Sequence, residues 1–405
     1  MSTKPLHGIV VTDFTWIGAG SYTTRLLADL GADVIKIESR SHLDSLRNSK
    51  PFKDGIPGVN RSGYFADRNA GKRSITLNLK TAGGRELAMR LIAQSDVVAN
   101  NFTPGTMEKF GLGYDDVRRH RPDIVYLAMS MHGKSGPEAK YLGYGLTMGA
   151  VTGLHYLSGL PDREPAGTGT NYPDHVPNPA HAAFAVLAAL RHRRRTGEGQ
   201  EIDLAQIEPT IALLGPSVLD YTCNGRIAER VGNQHVAAAP CGVYPCAGDD
   251  RWIAITAFDD SQWQALVQVL EVPSLRMADY AGAAQRWRNR RALDDALAAA
   301  TATWDGTALM NRLQQAGVPA GVVNDAADVV EAEPQLAHRA HWALLEHPEM
   351  GSTVYGSMPF RLSNADVAPR SAAPLLGQHT EEVCRERLGL SSADIERLHE
   401  EGVLS

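Results

Sequence analysis

The first 130 residues alternate short apolar, β-branched runs with longer stretches of helical periodicity. The strand-like runs are 9–14, 34–37, 74–79, 96–99 and 124–129, and the helix-like stretches are 21–30, 83–93 and 107–110. Strands that alternate with helices in this way predict βαβ units, and βαβ units form parallel sheets. We therefore expect an α/β fold whose large domain is Rossmann-like.

A second strong signal is the apolar, alanine-rich run 180–191, which predicts a buried helix. Pro179 suits a first helical position, the arginines up to Arg195 complement the negative end of the helix dipole, and Gly197 favours a stop. Asp174 lies just ahead of this helix, where free N–H groups and partial positive charge are expected. Aspartate is common in helix-entry turns, so this position alone favours a structural role.

The remaining pattern divides the chain into four predicted parts. These are a large Rossmann-like domain (1–205), a linker with a helix over 211–221 (206–227), a smaller α/β domain (228–330), and a return connector with a helical C-terminal tail that packs on the large domain (331–405). The glycine-rich stretch 133–159 is expected to form loops and short helices.

Composition narrows the class of protein. The chain has 405 residues, with 43% hydrophobic and 21% charged residues, as in an ordinary soluble globular protein of two domains. The net charge of -6 argues against broad nucleic-acid binding but allows local basic pockets. No apolar run is long enough for a membrane span, the N-terminus lacks a signal core, and the four cysteines form no disulfide framework. We expect a cytoplasmic protein.

The turn Gly18-Ala-Gly20 opens the first helix, and an acidic residue, Glu38, follows about 20 positions later. This spacing is part of a dinucleotide-binding fingerprint, but Thr23 stands where a third glycine is required, so the NAD interpretation is weak. His338 and His341 lack a neighbouring set of Cys or carboxylate ligands, and no metal site is expected.

Several short segments carry a family resemblance along almost the whole chain. They are Pro5-Leu-His-Gly8, Leu27 to Glu38, Asn69 to Ile75, Asp96-Val-Val with Asn101-Phe102, Gly136-Pro137, Thr196-Gly-Glu-Gly-Gln200, Gly317-Val-Pro319 and Pro374 to Thr380. In this order they resemble the family III CoA-transferases, the group of the formyl-CoA and carnitine CoA-transferases.

The resemblance implies an activity and a catalytic residue. Such enzymes move CoA from an acyl-CoA to a carboxylic acid through an aspartyl-CoA thioester, and their aspartate corresponds to Asp174. A carboxylate relay suits exchange between two carboxylates, and backbone N–H groups must stabilise the oxyanions that form on the way.

The resemblance also implies a binding site for coenzyme A, used as a substrate thioester. The residues at or beside the family's CoA-contact positions are Ile17, Gly18, Ala19, Gly20, Arg40, Lys72, Arg73, Asn101, Phe102 and Lys109. Any single Lys or Arg among them is more often a solvated surface charge, but at the carboxyl ends of parallel strands the set is typical of a phosphate site.

Departures from the formyl-CoA transferases concern the acid. Those enzymes carry a Gln at Gly18, a basic residue at Ser39, and a mobile polyglycine lid where this chain has His235 to Pro240. Their acidic residue near Gly143-Tyr144-Gly145 has no clear counterpart here. The missing Gln side chain predicts room for a larger acid. In having a glycine at this position and a length near 400 residues, the chain resembles the benzylsuccinate CoA-transferase subunits. This resemblance implies succinyl-CoA as donor and a substituted dicarboxylic acid such as benzylsuccinate as acceptor.

Two alternatives share the fold. One is racemisation of 2-methylacyl-CoA, which relatives perform with a His before the Asp; here the stretch Leu142 to Leu146 lacks that His. The other is the non-catalytic subunit of a heteromeric CoA-transferase, against which the presence of Asp174 argues. The family resemblance further implies a ring-shaped chain in an interlocked dimer, either a homodimer or a heteromer with a similar subunit.

Overall fold

The structure, a computed structural model, describes residues 4–405, which form two compact units. The first unit comprises the residues up to His155, Gly167–Ile227 and Gln335–Ser405. The second comprises Tyr156–Ala166 and Ala228–Pro334.

A six-stranded sheet forms the centre of the first unit. Its strands are β1 (Val10–Asp13), β2 (Asp33–Glu38), β3 (Arg73–Thr76), β4 (Val97–Asn100), β5 (Val125–Ser130) and β6 (Gln200–Ala205). All neighbours pair in parallel in the order β3-β2-β1-β4-β5-β6, which is the doubly wound Rossmann order. The predicted α/β class and parallel sheet are confirmed.

Helices join the strands of this sheet and cover both of its faces, and four further helices lie in the second unit. In chain order the helices are α1 (Ile17–Asp29), α2 (Gly63–Asn69), α3 (Ala82–Ile92), α4 (Thr106–Lys109), α5 (Tyr114–Val117), α6 (Gly145–Val151), α7 (Leu154–Leu157), α8 (Tyr172–His175), α9 (Pro177–Thr196), α10 (Ile207–Leu213), α11 (Gly215–Asn224), α12 (Asp260–Leu270), α13 (Ala283–Arg288), α14 (Arg290–Thr301), α15 (Gly306–Gln315), α16 (Pro334–His338), α17 (Thr380–Glu386) and α18 (Ser392–Glu400).

Alternating strand residues explain the two cores around the sheet. Successive side chains of a strand point to opposite faces, so Val10 packs in one cluster and Val11 in the other. Helices α3, α17 and α18 contribute to the first cluster, and α1 and α9 to the second. Burial on both faces is the reason that these strands are almost continuously apolar.

The second unit has a core of its own around a three-stranded antiparallel sheet. Its strands are β7 (Cys241–Pro245), β8 (Trp252–Thr256) and β9 (Ala320–Val322). Apolar residues of α12, α14 and α15 pack against this sheet, and Leu266, Leu293 and Leu309 are fully buried there.

Several segments differ from the predicted pattern. Residues predicted as a linker form the two helices α10 and α11 and group with the first unit. The connector contains an antiparallel hairpin, β10 (Trp342–His347) with β11 (Gly351–Gly356). Half of this hairpin faces solvent, and Leu344 is 66% exposed, so its apolar pattern is too weak to read as a strand.

Helix α1 begins at Ile17, before the predicted start at residue 21, because the glycines taken for a turn lie inside its first turn. A Cβ at Gly20 would lie 2.7 Å from Thr15 Cβ and 2.8 Å from Asn101 Cγ. Close packing, and not a turn, therefore requires the glycine. Helix α9 likewise starts at Pro177 and not at Pro179.

Candidate active site

The site lies where the order of the sheet reverses, between β1 and β4. In doubly wound folds ligands bind at this point, outside the carboxyl ends of the strands. The chain after β1 supplies Ile17 and Gly18, and the chain after β4 supplies Asn101 and Phe102. These four predicted site residues therefore meet at one edge of the sheet.

A cavity of about 260 Å³ opens at this edge and also reaches Asp174. Its lining is Ile17, Gly18, Ala19, Asn101, Phe102, Thr103, Pro104, Ser130, Met131, Tyr141, Leu142, Gly143, Tyr144, Met148, Asp174 and Gln206. Asp174 is the only charged residue in this lining. A larger cavity of about 510 Å³, between Leu336 and Ala368, contains none of the predicted site residues.

Asp174 is held in α8, a single helical turn directly ahead of α9, and is only 5% exposed. Its Oδ2 accepts a hydrogen bond of 3.1 Å from the backbone N–H of Gly145, the first residue of α6. The N–H group that meets the carboxylate thus comes from α6, whereas the sequence predicts the start of the long helix α9.

Burial governs the protonation of this carboxyl group. Loss of water raises the pKa of Asp174 to about 6, while the hydrogen bond from Gly145 and the positive charge of Arg68 act in the opposite direction. The group is therefore ionised at neutral pH, with a carboxylate more basic than an exposed one. A more basic carboxylate is a better nucleophile, which suits covalent catalysis.

Two glycines allow the backbone to approach this carboxylate closely. A Cβ at Gly18 would lie 3.0 Å from Asp174 Cβ and 3.5 Å from its Cγ. A Cβ at Gly145 would lie 2.8 Å from Asp174 Oδ2 and 2.6 Å from Asn171 Cβ. Any side chain at either position would press on the carboxylate or on the turn that carries it.

The turn between β1 and α1 is fixed by side chains from other elements. The Asn101 amide accepts from Trp16 N–H at 2.8 Å through Oδ1 and donates to the Trp16 carbonyl at 2.7 Å through Nδ2. The Ile17 N–H donates to Asp44 Oδ1 at 3.1 Å. Ile17 has φ of +59°, a strained conformation for a β-branched residue that surrounding contacts must hold.

Buried charged residues also hold the turn between β1 and α1. Lys36 Nζ lies 2.9 Å from Asp44 Oδ2 and donates to the Thr15 carbonyl at 2.6 Å. Asp13 Oδ1 accepts from the Thr15 N–H at 2.8 Å. Lys36, Asp44 and Asp13 are fully buried, and each is paired, as buried ions must be.

The Asn101 amide is hydrogen-bonded to the Trp16 backbone. A ligand therefore meets the cavity-facing surface of the Asn101 side chain and not its amide. Phe102 packs edge to face on Trp16 with ring centroids 5.5 Å apart. Asn101 and Phe102 line the cavity, and the bonds to Trp16 show that Asn101 organises the turn. Their contact with CoA stays a prediction.

Two predicted CoA contacts are placed differently by the structure. Lys72 is 2% exposed, and its Nζ bonds Asp13 Oδ2 at 3.0 Å, Asn69 Oδ1 at 2.9 Å, Thr24 Oγ1 at 2.7 Å and the Ser21 carbonyl at 2.9 Å. Burial also lowers the pKa of Lys72 to about 8. With every ammonium proton used inside the protein, Lys72 has no donor for a phosphate, and this prediction is corrected.

Arg73 is likewise committed elsewhere, because it begins β3 and pairs with acidic side chains. Its guanidinium bonds Asp33 at 2.5 and 2.9 Å, Glu382 at 3.1 Å and Glu386 at 3.2 Å. These bonds tie helix α17 to the sheet, which explains the basic residue without a ligand.

The other predicted cationic contacts are exposed. Arg40 lies in the turn after β2, and Lys109 ends α4. Their contact with CoA phosphates stays a prediction. Gly20 lies behind the cavity wall, against Thr15 and Asn101, so it acts through packing.

Two residues near Asp174, Tyr64 and Arg68, were not identified from the sequence, and both lie against His175. Arg68 Nη2 donates to His175 Nδ1 at 2.7 Å, and the Tyr64 hydroxyl lies 3.5 Å from His175 Nε2. Burial, followed by the charge of Arg68, lowers the pKa of His175 to about 4, so its ring is neutral. No local pattern marks α2 as part of the site, because only the tertiary fold brings it to α8.

Two structural features are missing from residues 4–405. No group of three or more His, Cys, Asp or Glu side chains is arranged to hold a metal ion. None of the helices described is long and apolar enough to cross a membrane.

Comparisons with known proteins agree with this geometry. Residues 6–380 match the profile of CoA-transferase family III. The chain is 36% identical over 389 residues to the succinyl-CoA:mesaconate CoA-transferase of Haloarcula marismortui, covering 94% of this chain and 96% of the relative. It is 31% identical over 402 residues to the succinyl-CoA–D-citramalate CoA-transferase of Chloroflexus aurantiacus, covering 99% and 98%. The crystal structure of a CAIB/BAIF family protein from Brucella suis superposes with a TM-score of 0.87 at 33% identity, covering 96% of this chain and all of that one.

Proposed function

The chain belongs to CoA-transferase family III, and we propose that it moves CoA from succinyl-CoA to a second carboxylic acid through a thioester on Asp174. It is an acyl-CoA:carboxylate CoA-transferase. The donor, the acceptor and the role of each side chain are the parts that we propose.

The reaction balances without a further reagent. The Asp174 carboxylate attacks the donor thioester, whose C–S bond breaks, and a mixed anhydride and CoA thiolate result. The thiolate then attacks the Asp174 carbonyl, which releases the donor acid as a carboxylate and leaves aspartyl-CoA. The acceptor carboxylate attacks this thioester, and the same two steps in reverse deliver its CoA ester and restore Asp174.

The observation that carries the proposal is a single buried carboxylate in an otherwise uncharged cavity. Asp174 lines this cavity with the first turn of α1, and the backbone can approach it from two sides at Gly18 and Gly145. Such a site excludes water from an anhydride and a thioester, both of which hydrolyse. Backbone N–H groups of these glycine segments are the donors available to developing oxyanions.

The acceptor is proposed to be a dicarboxylic acid. The named relatives act on mesaconate, citramalate, glutarate and malate with succinyl-CoA, and each of these acids carries two carboxyl groups. A substituted acid such as benzylsuccinate belongs to the same class. For the second carboxylate this cavity offers uncharged donors such as the Tyr144 hydroxyl.

The alternative of 2-methylacyl-CoA racemisation is disfavoured by the state of the nearest histidine. Racemisation needs a base that exchanges a proton with carbon. His175 is a weak base because burial lowers its pKa to about 4, and its Nδ1 lone pair already accepts a hydrogen bond from Arg68.

A CoA-exchange screen tests the proposal. The enzyme is offered succinyl-CoA with mesaconate, citramalate, glutarate, malate, benzylsuccinate, and monocarboxylic acids such as butyrate and benzoate, with and without co-expressed similar subunits. We expect acyl-CoA products from at least one dicarboxylic acid, and none with Asp174→Asn. Exchange confined to monocarboxylic acids would overturn the substrate class.

A further inference from the structure

We propose that Arg68 is a positioning residue for the transfer reaction, which holds the turn that carries Asp174 through its hydrogen bond to His175 and places its positive charge beside that turn. This inference rests on the proposed role of Asp174 as the nucleophile.

The contacts of Arg68 fix it beside the nucleophile. It lies in the last turn of α2, and its side chain is 13% exposed. Nη2 donates to His175 Nδ1 at 2.7 Å, and Nη1 lies 2.7 Å from Asp67 Oδ2. The guanidinium also stacks over the Tyr22 ring of α1 at 4.4 Å. Three elements thus hold one cation in place.

The bond to His175 defines the state of that ring. A guanidinium donates hydrogen bonds and cannot accept them, so His175 Nδ1 must be an acceptor. The ring proton then resides on Nε2, which lies 3.5 Å from the Tyr64 hydroxyl. Asp174 and His175 are consecutive residues of the single turn α8. Anchoring the ring of one therefore limits how far the backbone of the other can move.

The charge of Arg68 acts on Asp174 in a setting with few other ions. The charged or titratable groups on the neighbouring elements are Arg25 and Asp29 on α1, Asp67 and Arg68 on α2, His181 in the first turns of α9 and Glu208 in the first turn of α10, while α6 offers the Gly145 N–H. Asp67 is shared with Arg25 at 3.0 Å, and Arg25 also lies 3.4 Å from Asp29. Arg68 is the cation whose charge opposes the burial of the Asp174 carboxylate.

One neighbouring group also titrates in the range of an assay, since burial raises the pKa of the Asp29 carboxyl group to about 6. His175 is neutral because its pKa is lowered to about 4, and burial raises the pKa of the Tyr64 hydroxyl above its usual value. The pKa of Asp174 is raised to about 6 as well, so a change of activity near pH 6 is assigned to Asp174 where Asp29→Asn keeps the same acid limb.

The experiment compares pH profiles of kcat/KM for succinyl-CoA in the full-length enzyme carrying Arg68→Met, Arg68→Lys, His175→Gln or Arg61→Met. Arg68→Met is expected to lose about tenfold more activity at pH 5.5 than at pH 8, as a rise of one pKa unit in the nucleophile would produce. Arg68→Lys keeps the charge, so its acid limb should match the wild type while kcat at all pH values falls. His175→Gln should behave like Arg68→Lys. Arg61→Met removes a guanidinium that bonds only the 53–56 loop and the Glu349 carbonyl, and it should leave the profile unchanged.

Labelling separates this inference from the proposed function. Each variant is incubated at pH 8 with succinyl-CoA and hydroxylamine, and the modified peptide is found by mass spectrometry. If Arg68→Met is labelled at Asp174 and its acid limb does not shift, the role of Arg68 is refuted. The assignment of Asp174 as the nucleophile then still stands. Labelling elsewhere would refute the nucleophile. If Arg68→Met does not fold, Arg68→Lys decides: a shifted acid limb, or an unchanged kcat, contradicts the proposal.

Discussion

Burial of a single carboxyl group dominates the chemistry at the residue scale. Asp174 is removed from water by α1, α2 and α6, and this raises its pKa to about 6. The nucleophile must be ionised, so activity is present above this pH and is lost as pH falls through it. We predict that kcat/KM drops about tenfold per pH unit below pH 6. A flat rate between pH 5 and pH 8 would contradict this state of Asp174.

The absence of a side chain at Gly18 leads to a second prediction at this scale. A Gln there would place its Cβ 3.0 Å from Asp174 Cβ, so its amide would enter the volume beside the carboxylate. Gly18→Gln should favour small acids over substituted dicarboxylic acids and should leave CoA binding nearly unchanged. Gly321→Gln is the control, since a Cβ at Gly321 meets no atom within 4 Å. An unaltered range of acceptors in Gly18→Gln would refute the cavity argument.

Asp174 was accessible from the sequence because it stands just ahead of the alanine-rich helix, as the family's aspartate does, and Gly18 because it stands where the formyl-CoA transferases carry a Gln. Lys72 and Arg73 stand in an equally good motif, yet their side chains pair with Asp13, Asp33 and other acids. A motif gives the position of a basic residue along the chain. It gives no information on whether that residue forms an ion pair with a carboxylate that is distant in the sequence.

Contacts between elements explain the role of Lys72 and give a prediction at the element scale. Its ammonium joins Asp13 of β1 to Asn69 of α2 and to the first turns of α1. Removal of one partner leaves the other charge buried and unpaired. We expect Lys72→Met to lower the free energy of unfolding by about 3–5 kcal/mol.

Urea unfolding and CoA titration test this together, with exposed Lys80→Met as the control. A Lys72 variant of unchanged stability that bound CoA more weakly would restore Lys72 as a CoA ligand. Loss of stability with ordinary CoA affinity in the folded fraction is the expected result.

Secondary structure was predictable where the apolar pattern is strong. Strands β1, β2, β4 and β5 are buried on both faces and have long apolar runs, so each was located within about two residues. The first turn of α1 was not predicted, because contacts with Asn101 determine its residues. The hairpin β10–β11 was not predicted, because half of its surface is exposed. Helix α2 was not predicted because it is short.

At the scale of the whole molecule, exposed apolar side chains call for a partner. Several helices of the first unit expose large apolar residues, namely Phe184, Ile211, Leu213, Val218, Leu219 and Tyr221. Contiguous apolar surface of this kind marks protein interfaces. The family resemblance implies an interlocked dimer, and a second copy of the chain is the partner that we predict.

Sedimentation equilibrium at micromolar concentration should show an active dimer. Phe184 is 73% exposed in the single chain, so Phe184→Glu should weaken assembly without loss of the fold, whereas Glu198→Gln at an exposed end of α9 should have no effect. A stable active monomer would refute the dimer.

The central claim is that Asp174 carries CoA during turnover. Mass spectrometry of the enzyme incubated with succinyl-CoA and then with hydroxylamine or borohydride tests it directly, because only an acyl-activated carboxyl reacts. We predict one modified site, at Asp174, which disappears in Asp174→Asn together with all transfer activity. Modification of another residue, or substantial activity in Asp174→Ala with an intact fold, would contradict the account.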